Sequence, residues 1–453
     1  MRDGAYQVKK NKMNTYKTEL IEAGSFDVIV VGAGSAGATA AISAGRQGAK
    51  TLLLERLPFL GGTSTAVLDT FYGYYTPGTQ SIKVVGGIAD DVVNELAKYN
   101  ASFERPNTFG AGTGVTYHPE YLKVVWEKMV IEAGCNVLLN AWVQDVILEK
   151  GKVTGLVVAT KDGLKVFRCK QVIDTSGDAD ICHQAGLPYE LAGEIDPAQT
   201  MTTTFKMVNV DLAKRKTVTK QEVNTLMEKA AATGNYNLPR KEGSDHITPV
   251  DHMTATIMTR ITSFKKDEEG QVINAADAQL LSEAEIEGRL QAIEYIRFLK
   301  DYVPGYEKSA LSTFGVQIGI RETRRVEGEY RLTAEDVLSA KKFEDQIGLC
   351  GAPMEDHHDG EGVKWQYLPD GKTVGIPYRT LVPQNSENVF VAGRCFSANH
   401  VAHSSVRSMA QCMVMGEAVG VAAVLAIKNN VKPKDVDVQE LRKILRANNA
   451  LVD

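Results

Sequence analysis

Glycines at positions 32, 34 and 37 form a Gly-x-Gly-x-x-Gly motif, a pattern that can hold a phosphate group. Gly32 permits a tight turn, Gly34 lets a pyrophosphate approach the backbone, and Gly37 lets the following helix lie close against the strand. The start of that helix offers free N–H groups and a positive dipole end to phosphate. Glu55 ends the next apolar run, where a carboxylate can accept hydrogen bonds from the ribose hydroxyls of an adenosine. The pattern predicts dinucleotide binding, with an ordinary βαβ unit as the alternative.

Arginines at positions 321, 324 and 325 follow directly on an apolar run that begins at Gly315. A guanidinium in this segment could bind a substrate carboxylate or carbonyl through paired hydrogen bonds. Glu322 and Glu327 are available to neutralise some of these cations. An inter-domain ion-pair network is therefore the equal alternative.

Metal and dithiol chemistry find little support in the sequence. Adjacent histidines, as in the run Asp356-His357-His358-Asp359, point in divergent directions on most backbones, and no third ligand follows at a suitable spacing. We predict a charged loop there and no metal site. The cysteines include no Cys-x-x-Cys pair, which indicates reduced thiols in a cytoplasmic protein; they are Cys135, Cys169, Cys182, Cys350, Cys395 and Cys412.

Length and charge narrow the class of protein further. A chain of 453 residues is long for one core, so two intertwined domains are expected. The formal net charge of −5 gives no overall attraction to nucleic acid or to an anionic membrane. The first 25 residues are charged and lack the apolar run of a secretory signal. The longest apolar run, Ala418–Ile427, is too short to span a bilayer.

The elements that must position these residues can be predicted from hydrophobic periodicity. The apolar runs Val28–Val31 and Leu52–Leu54 predict parallel strands on either side of an alanine-rich helix. Gly61 and Gly62 form a second glycine turn, followed by hydroxyl residues that could donate to phosphate or to a ring edge. Tyr121–Ala133 has helical spacing and stops at Gly134. The aromatic run Phe71–Tyr75 could line a substrate cavity, although such runs are more often core.

Later segments predict a meander and a closing unit. Short strands between Asn136 and Arg168 indicate a β-meander, and Val172–Asp174 then returns to the sheet. Asn388–Arg394 is a buried strand that ends in Gly-Arg. A long helix follows through Ile427, with Ser404 and Ser405 as candidate cap.

The order of motifs GAGSAG, LLLER and GGTSTA resembles the FAD-binding flavoproteins of the glutathione-reductase-like superfamily. It is particularly similar to the bacterial FAD-dependent oxidoreductase family, itself distantly similar to fumarate reductase flavoproteins. The run from Ala392 to Gly420 also resembles that family closely. The resemblance implies an α/β fold: a Rossmann-like FAD-binding domain, with a parallel sheet and a β-meander, and an inserted α+β substrate domain. We place an arm at 1–25, the FAD-binding domain at 26–190 and 373–453, and the substrate domain at 191–372.

The resemblance implies FAD as cofactor, bound without a covalent link even though Cys395 lies in the last motif. The start of the final helix would stabilise the anion that forms on the reduced flavin. The implied cofactor-binding residues are Gly32, Ala33, Gly34, Ser35, Ala36, Gly37, Glu55, Arg56, Gly61, Gly62, Thr63, Ser64, Val143, Ser176, Gly177, Gly393 and Arg394.

The implied reaction is hydride transfer between flavin N5 and a carbon of a small organic substrate. His403 or His400 would transfer a proton, and Arg407 or Arg324 would polarise or orient the substrate. Structural, hydrogen-bonded histidines are the alternative. No second Gly-x-Gly-x-x-Gly follows, so we expect a separate electron donor or acceptor, and no nucleic-acid or membrane partner. A structural FAD in a non-redox hydratase or isomerase, or in an RNA-modifying protein, is the alternative function.

Overall fold

The computed structural model describes residues 19–105, 113–357 and 363–453. The helices within these ranges are α1 (Ser35–Arg46), α2 (Thr63–Ala66), α3 (Ile88–Ala97), α4 (Pro119–Glu132), α5 (Asp180–Gln184), α6 (Leu212–Arg215), α7 (Lys220–Ala232), α8 (Ala278–Tyr302), α9 (Ala334–Leu338), α10 (His400–Val406), α11 (Met409–Asn429) and α12 (Val438–Ala447). The strands are β1 (Ile21–Val31), β2 (Thr51–Leu54), β3 (Thr70–Tyr72), β4 (Ser102–Glu104), β5 (Gly114–Tyr117), β6 (Asn136–Leu138), β7 (Trp142–Glu149), β8 (Lys152–Thr160), β9 (Gly163–Asp174), β10 (Tyr189–Leu191), β11 (Phe205–Val208), β12 (Ser244–Ile247), β13 (Thr254–Ile257), β14 (Phe264–Lys266), β15 (Val272–Asn274), β16 (Ala310–Phe314), β17 (Arg324–Val326), β18 (Gln346–Cys350), β19 (Met354–Asp356), β20 (Lys364–Gln366), β21 (Val374–Pro377) and β22 (Val389–Val391).

The largest sheet in the described part of the chain has seven strands, in the order β6-β2-β1-β9-β8-β7 with β22 beside β9. β1 pairs in parallel with β2 and β9, and β22 joins β9 in parallel. β7, β8 and β9 are antiparallel neighbours and form the meander. β9 pairs with β8 over its first half and with β22 over its last three residues. The predicted parallel sheet with a meander is therefore confirmed.

The first strand begins earlier than the sequence predicted. β1 starts at Ile21, inside the segment 1–25 that we expected to be an arm, and residues 21–26 pair with residues 165–169 of β9. The side chains of residues 21–25 are exposed, so this part of the strand carries no apolar alternation. Backbone pairing with β9 holds it in the sheet, and hydrophobic periodicity cannot detect such pairing.

Small residues allow α1 and α11 to pack closely behind the sheet. A Cβ placed on Gly416 would lie 2.1 Å from the Ala36 carbonyl oxygen, and one on Gly420 would lie 2.6 Å from the Ala40 oxygen. α11 is the one helix in the described ranges that is long and apolar enough to cross a membrane, but 94% of its most apolar window is buried within the protein. Its hydrophobicity is therefore that of a core helix.

A second unit is built on the antiparallel sheet β12-β13-β11-β16, against which α7 and α8 pack. Its core includes Phe205, Met227 and Tyr295, which are all buried. The segment predicted as substrate domain, 191–372, does not belong to this unit throughout. Leu332 and Ile347 pack in the same core as α1 and α11, because the chain returns to the first unit well before residue 372.

Glu417 is a buried carboxylate that joins α11 to α3. Its Oε2 accepts a hydrogen bond of 3.0 Å from the backbone N–H of Ile88, the first residue of α3. The side chain is almost fully buried, and this burial raises the pKa of Glu417 to about 7 from its ordinary 4.5. The folded protein therefore favours the protonated acid.

Replacement of Glu417 by glutamine should flatten the pH dependence of stability. Because the folded-state pKa is raised, its contribution to the free energy of unfolding is fully present below pH 4.5 and is lost as pH rises through about 7. The loss corresponds to about 3 kcal/mol. In urea unfolding, the free energy of unfolding of Glu417→Gln should rise relative to that of the wild type between about pH 5 and pH 8. Replacement of the exposed Glu440 by glutamine should leave the slope of the free energy of unfolding against pH as in the wild type. Equal slopes for wild type and Glu417→Gln would contradict this.

Candidate active site

A single cavity of about 480 Å³ runs from the carboxyl ends of β1 and β9 to the antiparallel sheet of the second unit. One end is lined by the glycine turns after β1 and β2. The other end is lined by polar and charged residues from the second unit and from the junction of α10 and α11. Ligands of open parallel sheets bind at this edge, beyond the carboxyl ends of the strands.

The three glycines of the motif have different surroundings. Gly32 has a φ of +90°, and a Cβ on Gly37 would lie 1.8 Å from the Gly32 carbonyl oxygen. No heavy atom of the described residues, chain neighbours aside, lies within 4 Å of a Cβ placed on Gly34. Gly32 thus makes the turn, Gly37 lets α1 pack against it, and Gly34 faces the cavity.

Ser35 opens α1 and belongs to the cavity wall. Its Oγ is buried, and it has no hydrogen-bond partner among the described residues. α1 is 12 residues long and has no acidic residue in its first turn. A donor without a partner at the positive end of a helix suits a phosphate group. These residues therefore fit the pyrophosphate of a dinucleotide.

Glu55 braces the first glycine turn and also lines the cavity. The backbone N–H of Ala33 donates to its Oε2 at 2.7 Å, and that of Leu57 donates to its Oε1 at 2.8 Å. Burial raises the pKa of Glu55, and these two hydrogen bonds oppose the rise. Each carboxylate oxygen keeps a further lone pair. Glu55 can therefore accept from a ribose while it holds the turn. Arg56, also in the cavity wall, lies over the Trp142 ring at 5.3 Å.

The second glycine turn lies directly against the first. The Gly61 N–H donates to the Ala33 carbonyl oxygen at 2.8 Å, and Gly61 and Gly62 both have positive φ. Thr63 lines the cavity, whereas the Ser64 hydroxyl donates to the Gly61 carbonyl oxygen at 2.7 Å. The sequence analysis predicted that the Ser64 hydroxyl donates to a ligand. In the structure this hydroxyl donates within the turn and closes it.

The remaining predicted cofactor residues divide between the wall and its support. The Ser176 hydroxyl donates to Asp174 at 2.7 Å, and Arg394 forms an ion pair with Asp178 at 2.8 Å. Cys395, which could have linked a flavin covalently, is a free and buried thiol. Of the predicted cofactor residues, those in the cavity wall are Gly32, Gly34, Ser35, Ala36, Glu55, Arg56, Gly62, Thr63, Val143, Ser176, Gly177, Gly393 and Arg394; those behind it are Ala33, Gly37, Gly61 and Ser64.

His400 and His403 lie in a buried ionic network instead of the cavity wall. Burial lowers the pKa of His400, but its contacts with Asp356 at 3.2 Å and with Glu322 at 2.9 Å raise it to about 9 overall. His403 is fully buried, and its Nε2 donates to the Arg394 carbonyl oxygen at 2.6 Å. Burial lowers the pKa of His403 well below its ordinary value. Both imidazoles are thus engaged away from the cavity.

The predicted final helix is in fact two helices with a break between them. α10 ends at Val406, α11 begins at Met409, and the candidate caps Ser404 and Ser405 lie inside α10. The cap of α10 is Asn399, whose side chain accepts from the Ala402 N–H at 2.9 Å. The break brings Arg407 and Ser408 into the cavity wall. Arg407 is the one catalytic candidate of the four that lines the cavity, because Arg324 turns away to pair with Asp180 at 2.9 Å.

Several cavity residues were missed or undervalued in the sequence analysis. Arg321 belongs to the arginine-rich segment noted there, but Arg240 and Glu355 gave no local signal. Tyr72, from the aromatic run, lines the cavity, whereas Phe71 is fully buried core. The Arg105 Nη1 donates to the Tyr72 hydroxyl at 3.4 Å.

The histidine run after β18 is only partly described. His357 Nε2 contacts Glu355 at 2.8 Å, and both side chains line the cavity. Burial, helped by the charge of Arg321, lowers the pKa of His357 to about 3. His357 is therefore neutral at physiological pH. His358 and Asp359 lie outside the described residues.

Comparison with known proteins places this arrangement among flavoproteins. A family model described as FAD dependent oxidoreductase matches residues 27–445. Digeranylgeranylglycerophospholipid reductase 2 of Methanothermobacter thermautotrophicus is 29% identical over 212 residues, which cover 40% of this chain and 50% of that protein. A tRNA uridine 5-carboxymethylaminomethyl modification enzyme of Syntrophomonas wolfei is 26% identical over 234 residues, covering 46% of this chain and 33% of that protein. The matches thus span half or less of these relatives.

A solved structure is similar over most of the chain. A geranylgeranyl bacteriochlorophyll reductase-like protein from Thermoplasma acidophilum has a TM-score of 0.48 and 16% sequence identity. The alignment covers 94% of this chain and 84% of that chain.

Proposed function

The chain belongs to the FAD-dependent oxidoreductase family, and we propose that it transfers a hydride between FAD and a carbon atom of a small organic substrate. The protein is an enzyme and its cofactor is FAD. The observation that carries the proposal is the cavity, which continues from the glycine turns to the charged residues of the second unit. One space can therefore hold the cofactor and the substrate in contact, as hydride transfer requires.

The FAD would be held by the residues described above. The amides at the start of α1 and the Ser35 hydroxyl suit the pyrophosphate, and Glu55 suits the adenosine ribose. Gly34 leaves the space that the pyrophosphate needs. When bound, FAD supplies an acceptor or donor of two electrons at N5 of its ring.

Arg407 and Arg321 are our candidates for binding and orienting the substrate. Both line the cavity at the end away from the glycine turns. The Arg407 Nη2 donates to Gln199 Oε1 at 2.8 Å, and the Arg321 Nη1 donates to Thr202 Oγ1 at 2.9 Å. These contacts fix the guanidinium planes without neutralising them. A carbonyl or carboxylate of the substrate would find two oriented donors.

Tyr72 is our candidate for holding or delivering the proton that accompanies the hydride. Its hydroxyl lies in the cavity wall beside Arg105. Burial raises the pKa of Tyr72, although Arg105 opposes the rise, so the phenol stays protonated and ready to donate. We assign His403 and His400 positioning roles, because His403 holds the Arg394 carbonyl and His400 bridges two carboxylates.

Anaerobic half-reactions test the proposal. The oxidised holoenzyme would be mixed with candidate alcohols, hydroxy acids and saturated acids, and the reduced enzyme with enones and enoates. We expect one class to bleach the flavin absorbance or to restore it in a single turnover. If no organic substrate does either, the redox proposal fails and a structural FAD becomes the better explanation. If one class does react with the flavin, the electron partner would next be sought among dioxygen, free nicotinamide and separate proteins.

A further inference from the structure

Three arginines from separate parts of the chain line the cavity close enough for the charges of two of them to act on the third. Arg240 follows α7, Arg321 follows β16, and Arg407 lies between α10 and α11. We call these three residues the arginine cluster. Arg240 is 6% exposed, so its charge has almost no access to bulk water.

The side-chain hydrogen bonds of the arginine cluster go to neutral acceptors. Arg321 donates to the Thr200 carbonyl oxygen at 2.5 Å, Arg240 to the Ile257 carbonyl oxygen at 3.4 Å, and Arg407 to the Gln199 amide oxygen. The Nε atoms of Arg240 and Arg407 are buried and have no hydrogen-bond partner within residues 19–105, 113–357 and 363–453.

Arg325 and Arg215, by contrast, are neutralised by carboxylates. Arg325 is as deeply buried and pairs with both Glu190 and Glu322. Arg215 pairs with Asp245 through two hydrogen bonds of 2.7 Å and 2.6 Å. In the described part of the chain, no residue of the arginine cluster has a carboxylate oxygen within 4 Å of its guanidinium nitrogens. The fold thus pairs Arg325 and Arg215 with carboxylates, whereas the described residues provide no such ion pair to the arginine cluster.

Of the carboxylates that line the cavity, Glu355 is the one whose charge acts on all three guanidinium groups of the arginine cluster, while Glu242 acts on Arg240. Glu355 is engaged with His357, which is neutral at physiological pH. Burial, together with the neighbouring guanidinium of Arg407, lowers the pKa of Arg321 well below its ordinary value. Glu242 is itself 3.7 Å from Lys220, so the three guanidinium charges share Glu355 as their one common carboxylate and leave an excess of positive charge in a buried space. Such an excess is unfavourable unless a ligand supplies the missing negative charge.

We propose that the arginine cluster binds the substrate of the reaction suggested above as a small organic dianion, of which a dicarboxylate is the simplest. This inference rests on the proposed function. The planar guanidinium fork matches a carboxylate through two parallel hydrogen bonds. Leu68 and Ile257 also line this cavity, and their apolar atoms suit a carbon chain between two charged ends. An inorganic oxyanion would leave that apolar surface uncovered.

Calorimetric titration of the holoenzyme tests the inference without any turnover. Malonate, succinate and glutarate are the dianionic probes, and butyrate, butanediamide and inorganic phosphate are the comparison ligands at constant ionic strength. We expect at least one dicarboxylate to bind about 10-fold or more tightly than butyrate and butanediamide, because a second charge-assisted hydrogen bond is made. Phosphate binding as tight as that of the best dicarboxylate would overturn the assignment to an organic dianion.

Arg240→Gln and Arg321→Gln should each weaken binding of that dicarboxylate by about 10- to 100-fold. The control is Lys220→Gln, because Lys220 also lines the cavity but is exposed and lies 3.7 Å from Glu242; its effect should stay within about twofold. Flavin content and circular dichroism identify any variant that misfolds. If both arginine variants misfold, the ligand series on the unmodified enzyme decides the question. Equal affinities for dicarboxylate and butanediamide, or equal effects of the glutamine variants at 240 and 220, would overturn the inference.

The two proposals fail in distinguishable ways. If a neutral substrate reduces the flavin while no dicarboxylate binds, the anion site is wrong and the redox function stands. If a dicarboxylate binds through Arg240 and Arg321 but no organic compound exchanges electrons with the flavin, the anion site stands and the redox function is wrong.

Discussion

The Gly34→Val protein is expected to fold and to lack FAD. Gly34 has φ near −63° and ψ near −175°, an extended conformation that a β-branched residue adopts readily. A Cβ placed there meets no heavy atom of the described residues within 4 Å apart from its chain neighbours, so the fold has room for it. The valine would instead occupy the approach of the pyrophosphate to the start of α1.

The valine would prevent two charge-assisted hydrogen bonds between the pyrophosphate and the N–H groups at the start of α1. This loss would weaken FAD binding by about 10²- to 10⁴-fold. Flavin absorbance per mole of purified protein measures this, and thermal unfolding of the apoproteins measures stability. Gly34→Ala should fall between wild type and valine. Gly37→Ala is the matched contrast, because its Cβ would lie 1.8 Å from a backbone oxygen and should destabilise the fold itself. A Gly34→Val protein that retains one FAD per chain would refute the site.

Tyr72→Phe should lower kcat by about 10²- to 10⁴-fold with little change in FAD content. The phenol is the protic group that we assign to the reaction, and phenylalanine keeps the ring that packs in the wall. Burial keeps the pKa of Tyr72 raised, so the hydroxyl carries its proton throughout the neutral range. Turnover would be measured with the substrate found in the anaerobic screen.

Tyr75→Phe is the matched control for this variant. Tyr75 lies in the same aromatic run, but its hydroxyl donates to Glu104 at 2.6 Å outside the cavity wall. Its loss should leave kcat within about twofold of wild type, as expected for a surface contact. If Tyr72→Phe turns over normally while His403→Ala binds FAD and is inactive, the proton belongs to His403, as the sequence alone suggested.

The glycine motif could be assigned from sequence because its function is local. The turn after β1, the close approach of a pyrophosphate to the backbone and the contact of α1 with the strand each require a glycine at one position. In the structure Gly32 has positive φ, Gly37 abuts a carbonyl oxygen and Gly34 faces the cavity. The meander was predictable for the same reason, since alternating apolar residues and glycine turns are features of neighbouring positions.

The substrate end of the cavity could not be predicted, because it joins residues that are distant in sequence. Arg240 follows α7 and Arg407 lies between α10 and α11, and only the folded chain brings the charges of both to act on Arg321. The direction of a side chain is equally invisible: His400 and His403 occupy the predicted motif but turn toward Glu322. A buried carboxylate contributed by another segment decides their role, and periodicity does not reveal it.

A crystal structure of the holoenzyme grown with the tightest dicarboxylate is the most direct test of the central claim, that one cavity holds FAD and an organic dianion in contact. We predict a pyrophosphate against the start of α1, with the flavin ring extending toward Arg407 and the dicarboxylate between Arg240 and Arg321 and against the ring. A flavin ring outside this cavity, or a ring that fills the arginine end and leaves the dianion elsewhere, would contradict the account.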